Sequence, residues 1–160
     1  MPLHYFIDGY NLIWSADNFG GGKLQTQRER LLRFLEAARP AGSAKNAVTV
    51  IFDGQEDVDS PPWRGAVKVI FSKGEEADAV IKRSVDTMSA PRSAVVVTDD
   101  RDIQRWVKAS KAKVLTCKEF FREVSRKNAP GKGGAKPDSR GIDPSDAAEI
   151  NEEFRRIFLP

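Results

Sequence analysis

The sequence predicts an α/β domain with a mostly parallel central sheet of about five strands and helices on both faces. Three observations carry that prediction. Short apolar runs and 3.6-residue amphipathic patterns alternate, mostly as strand then helix, through residue 127. Runs such as AVTVIFDG (47–54) and AVVVT (94–98) are too continuously apolar for half-exposed strands and have the character of buried parallel ones. A chain of 160 residues with 40% hydrophobic content is also large enough for one domain with its own core. Parallel neighbours need crossover helices, so the alternation and the buried runs imply the same architecture.

In chain order, HYFID (4–8) is a short apolar strand ending on a carboxylate, and the GYN and Gly20-Gly21-Gly22 stretches after it are loop-like. Leu24, Leu31, Leu32 and Leu35 share a helix face that ends near Arg39 and Pro40. The second strand, AVTVIF, is followed by a loop with Ser60-Pro61-Pro62 and by a third strand, VKVIF (67–71). Ala77, Ile81, Val85 and Met88 mark a helix that stops before Pro91. AVVVT is the fourth strand, Ile103, Trp106 and Val107 open a helix, KVLT (113–116) is the last strand, and Phe120, Phe121 and Val124 lie on a final helix.

Residues 1–127 read as this domain. Residues 128–142, rich in Gly, Pro and Lys and without periodicity, read as a flexible basic linker. In 143–160, Asp143-Pro144 forms an N-cap and N1 pair, and Ile150, Phe154, Ile157 and Phe158 predict an amphipathic helix docked on the domain.

Composition narrows the chemistry. One cysteine, Cys117, and one histidine, His4, leave no set for a disulfide scaffold or a zinc site, so any metal must sit on oxygen. The N-terminal segment lacks a basic region followed by a long apolar run, and no stretch has the length of a membrane span, so a soluble cytoplasmic protein is expected. The formal charge of +3 is unevenly spread: residues 1–100 carry 12 Lys/Arg against 14 Asp/Glu, and 101–140 carry 12 against 4. That local excess points to a polyanionic partner.

The parallel topology collects strand-end acids at one edge, where ligands bind in such sheets. Asp8 ends the first strand and Asp53 the second, and Asp99, Asp100 and Asp102 follow the fourth. Asp78 lies in the first turn of the helix that begins at the same edge. Clustered carboxylates repel unless a cation neutralises them, and hard oxygen donors suit Mg²⁺ or Mn²⁺. A metal there supports in-line phosphodiester chemistry without a side-chain nucleophile. Asn11 can orient a water or phosphate through its amide, and Thr98 through its hydroxyl.

Taken singly, each Asp is better explained as a turn or cap residue than as a ligand, with Asp99 or Asp100 as the N-cap of the Ile103 helix and Asp53-Gly54 as a turn dipeptide. Three strands that end in Asp shift the balance, although Asp99 can equally face solvent. Gly20 to Lys23 is not a phosphate loop, because Asp17 stands where that pattern needs Gly and Leu24 where it needs Ser or Thr. His4 reads as packing and Cys117 as buried or capping, while Trp106 fits a core face. Trp14 and Trp63, placed in loops near the acidic edge, are candidates for stacking on bases.

YFIDGYNLI, VIFDG, SKGEEADAVI and VVVTDDRDI, in this order, resemble the motifs of NYN-domain proteins, in particular the YacP-like branch of the PIN-like nuclease fold. The resemblance covers about residues 4–125. It implies that Asp8 and Asn11 fill the first motif, Asp78 the helical acidic position, and Thr98, Asp100 and Asp102 the Ser/Thr-x-Asp-x-Asp motif, with Asp99 an additional acid inside it. A Rossmann-like sheet, Mg²⁺ or Mn²⁺ held by Asp8, Asp78, Asp100 and Asp102, and RNA as substrate are implied with it. So, by analogy, is ribosome association with messenger RNA as the target.

Lys127, Lys132 and Lys136 are the sequence's candidates for RNA-phosphate contacts, with a solvated, soluble segment as the alternative reading. The rival function is a catalytically silent RNA-binding module of the same fold. A haloacid-dehalogenase-like phosphatase needs Asp two residues after Asp8, and Tyr10 stands there.

Overall fold

The computed structural model describes residues 2–16, 21–38, 45–56 and 60–127. Its elements run β1 (His4–Asp8), α1 (Gly9–Ser15), α2 (Leu24–Ala38), β2 (Ala47–Phe52), β3 (Lys68–Phe71), α3 (Ala77–Asp86), β4 (Ala94–Val97), α4 (Arg101–Ala109), β5 (Lys113–Leu115) and α5 (Cys117–Lys127), with a 3-10 turn at Pro91–Ser93. The five strands form one sheet in the order β3-β2-β1-β4-β5. Every pairing is parallel. The expected fold class is therefore observed. The linker and C-terminal helix expected in 128–160 lie outside the described residues.

Alternation along the strands builds a core on each side of the sheet. Tyr5, Ile7, Val50, Phe52, Val95 and Val97 face α1, α2 and α5, meeting Leu12, Leu31, Leu35, Phe120 and Phe121. Phe6, Ile51 and Val96 face α3 and α4, meeting Ile81, Val85, Ile103 and Val107. Burying each such side chain is worth about 1.5–3 kcal/mol, so both layers hold the strand ends in place.

The main departure from expectation is α1. The segment after Asp8 was expected to be a loop, yet it turns directly into a helix that buries Gly9, Leu12 and Ile13. Trp14 is therefore a helix residue and not a loop residue. Gly9 permits this sharp entry: a side chain there would collide with the Phe52 ring, so only glycine lets α1 start against β2.

Candidate active site

Strand register decides which acids meet. Asp8 is level with Ile51 of β2, and the preceding Ile7 with Val97 of β4. Asp53 lies one step past the end of β2, and Thr98 one step past the end of β4. Since β2 and β3 continue the sheet on one side of β1 while β4 and β5 continue it on the other, the crevice between β1 and β4 is the topological switch point, where such sheets take ligands.

Asn11 spans that crevice. Its Nδ2 donates to Asp8 Oδ2 at 3.0 Å, and its Oδ1 accepts the backbone N–H of Asp99 at 3.1 Å. Both ends of the amide that was expected to orient water or phosphate thus tie α1 to the β4 loop. Asp8 occupies the N-cap position of α1 without a side-chain capping bond, and its helix partner is the Asn11 amide. Burial pushes the Asp8 carboxyl up to about 6; hydrogen bonding from Asn11 pulls it back, while the charges of Asp100 and Asp53 add to the rise.

The other acids differ in their surroundings. Asp100 is the N-cap of α4, its Oδ1 accepting from the N–H groups of Asp102 and Ile103 at 2.9 and 3.3 Å. Asp53 accepts from Ser72 Oγ at 3.0 Å, and that same oxygen accepts the Gly54 N–H at 3.0 Å. Asp99, left open as a solvent-facing residue, accepts the Cys117 N–H at 2.9 Å and so ties the β4 loop to the start of α5. Cys117 is buried, and burial pushes its thiol up to about 12, which leaves no reactive thiolate at neutral pH.

Thr98 is fully buried; its Oγ1 accepts the Asp100 N–H at 3.1 Å, so its hydroxyl acts on the position of Asp100. Asp78, in the first turn of α3, stands 3.8 Å from Lys82. Asp102 is exposed in the first turn of α4.

The structure therefore brings Asp8, Asp53, Asp100 and Asn11 together electrostatically, with Asp78 and Asp102 on helices that start at the same edge. Among the described residues, no basic side chain pairs with Asp8, Asp53 or Asp100. Nor do any three acids among them stand close enough to form a complete cation cage.

Trp14 is 70% exposed, three residues beyond Asn11, with its ring stacked on Tyr10 at 5.5 Å and 15°. Trp63 is partly buried and donates its indole N–H to Glu36 at 3.0 Å. His4 stacks on Phe6 at 4.1 Å and bonds Thr49 at 2.8 Å, the packing role expected of it. Lys127 closes α5, and Lys132 and Lys136 lie outside the described residues. Ser72 was not anticipated; nothing in the sequence marks a serine after β3 as the partner of an acid after β2.

A five-stranded parallel sheet with its acids at the switch point defines an α/β domain of nuclease-like fold. The model of the YacP-like NYN domain matches residues 5–156, and the chain belongs to that family. The match runs well past residue 125, where the motif resemblance ended, and takes in most of the segment read as linker and tail.

Among solved structures the chain is similar to Rae1 (YacP) from Bacillus subtilis, at 24% identity and TM-score 0.66 over 79% of this chain and 75% of that one. It is likewise similar to the W164L mutant of that protein, at 24% identity and TM-score 0.62 over 78% and 76% of the two chains. At this identity the likeness establishes the shared fold. No curated protein matches the chain. Among the described residues, no helix is long and apolar enough to cross a membrane.

Proposed function

We propose that this chain is a divalent-metal-dependent ribonuclease, cutting RNA endonucleolytically at the acidic crevice between β1 and β4. One observation carries the reading: Asp8 is a partly buried carboxylate, pushed up to about 6, that feels the charges of Asp100 and Asp53 and has no basic partner among the described residues. A cation beside such a group favours its ionised form at neutral pH. Its oxygen donors suit Mg²⁺ or Mn²⁺, and Mg²⁺ in particular is commonly held by one or two carboxylates, with waters and substrate phosphate completing its shell. A complete protein cage is therefore not needed.

Asp8 and Asp100 would hold the ion, with Asp78 and Asp102 reaching it from the first turns of α3 and α4. Bound there, a divalent ion supplies an activated water and neutralises the phosphate oxygens. The chain itself sets the geometry. Asn11 fixes Asp8 against the β4 loop, and Thr98 and the α4 cap fix Asp100. Ser72 holds Asp53, and the exposed Trp14 offers a face on which a base can stack.

By analogy with the family, messenger RNA on the ribosome in the cytoplasm is the setting for this activity, and Lys127, Lys132 and Lys136 are the candidate phosphate contacts. That no three acids among the described residues stand close enough to cage a cation favours a second reading, an RNA-binding module without catalysis.

Incubating the protein with a mixed RNA pool, in Mn²⁺, in Mg²⁺ and in chelator, separates the two. The ribonuclease reading expects internal cuts that need the metal and vanish in Asp8→Asn. Retention of RNA with no cleavage under any condition establishes the binding module instead.

A further inference from the structure

A cavity of about 590 Å³ lies between α2 and the segment around residues 60–69, on the α2 side of the sheet and outside the acidic crevice. That volume is in the range of about 300–1,000 Å³ typical of small-molecule sites. We propose that it is the subsite for one nucleotide of the RNA strand, with the base against Phe71 and Trp63 and the phosphate toward Arg33 and Lys68. The proposal deepens the ribonuclease reading and rests on it for the source of the nucleotide.

Position argues for this occupant. Phe52 and Phe71 line the cavity and immediately precede Asp53 and Ser72, the hydrogen-bonded pair at the carboxyl edge. Arg28, also in the wall, is only 8% exposed; its guanidinium lies 5.5 Å over the Phe71 ring and donates to Tyr10 Oη at 3.1 Å. Tyr10 in turn packs on Phe52 and stacks on the exposed Trp14. A continuous run of rings therefore joins the cavity to the surface beside Asp8 and Asn11.

The lining is also what a nucleotide needs. Aromatic faces stack on any base, and a flanking arginine adds cation–π attraction. Charge limits the anion: three basic residues, Arg28, Arg33 and Lys68, face two acids, Glu29 and Glu56, which suits one phosphate better than several.

The test is titration of the full chain, in chelator, with the four nucleoside 5′-monophosphates, followed by calorimetry or chemical shifts, with ribose 5-phosphate as control. At least one nucleotide is expected to bind about tenfold or more tighter than ribose 5-phosphate, the effect of one stacked base. Ala66 is exposed on the rim, so Ala66→Phe should block entry and weaken binding by about tenfold. The double variant Arg33→Glu with Lys68→Glu, at two exposed positions, should weaken it as well and serves if the first variant does not fold.

Binding no tighter than ribose 5-phosphate, or binding unchanged in the folded variants, overturns the proposal. Chelator keeps the outcome separate from catalysis. A chain that binds nucleotides here but cuts no RNA loses the ribonuclease reading and keeps the subsite.

Discussion

The acids of the carboxyl edge fall into two sets with opposite surroundings. On the helix side, Glu75 meets Arg83 in two hydrogen bonds of 2.8 and 2.9 Å, and Asp78 faces Lys82 at 3.8 Å. On the strand side, Asp8 at the end of β1 lies between Asp53, which follows β2, and Asp100, which follows β4, and the charges of both act on Asp8. The arginine beside Glu75 holds its carboxyl below the usual range, while burial pushes Asp8 above it. The same chemical group, a few residues from the same edge, meets a basic side chain in one place and only neutral hydrogen-bond donors in the other.

The largest expected effect separates the two sets by activity. Asp8→Asn should lower metal-dependent RNA cleavage by about a thousandfold or more, while Glu75→Gln, which removes an exposed ion pair, should leave it within about twofold. Equal losses in both variants, measured in single-turnover cleavage of a labelled RNA, would erase the distinction.

The next effect is on stability. Because the Asp8 carboxyl is raised from 3.8 to about 6, the folded protein holds a proton that the unfolded chain has already released across that window. The sign follows: this contribution is fully present below about pH 4 and is lost as pH rises through about 6, at most about 3 kcal/mol at 1.36 kcal/mol per unit. Urea unfolding in chelator should therefore show Asp8→Asn gaining on wild type as pH rises from 4 to 7. A constant difference across that range would mean that Asp8 is not held in a charge-hostile site.

A smaller effect probes the boundary between the sets. If Lys82 competes with a metal for Asp78, Lys82→Met should tighten Mn²⁺ binding by up to about fivefold, the most that an exposed pair worth about 0.2–1 kcal/mol allows. Unchanged or weaker binding assigns Asp78 wholly to its lysine.

Much of this was legible in the sequence because burial on both faces leaves continuous apolar runs, and three of the five runs led into a recognisable acid. AVTVIF and AVVV are strands as expected, and Asp100 is the N-cap that its position before the Ile103 helix allowed. α1 was not legible. It is seven residues long and opens with Gly-Tyr-Asn, and its helical state depends on packing Leu12 and Ile13 on the sheet and on Gly9 meeting Phe52.

Asp53 was the weakest case because Asp-Gly is also a turn signal, and the neighbouring order of β2 and β1 is what brings its charge to bear on Asp8. The Asp99 to Cys117 bond joins residues 18 apart through the β4–β5 pairing, a contact no local pattern records.

The central claim is that the strand-end acids hold a catalytic cation, and calorimetric titration of Mn²⁺ into metal-stripped protein tests it most directly. The account predicts saturable binding to wild type that is lost in Asp8→Asn and in Asp100→Asn, the latter keeping the α4 cap because Asn caps as well as Asp. Equal Mn²⁺ affinity in all three proteins, or no binding to wild type in the presence of a non-cleavable RNA, would contradict it.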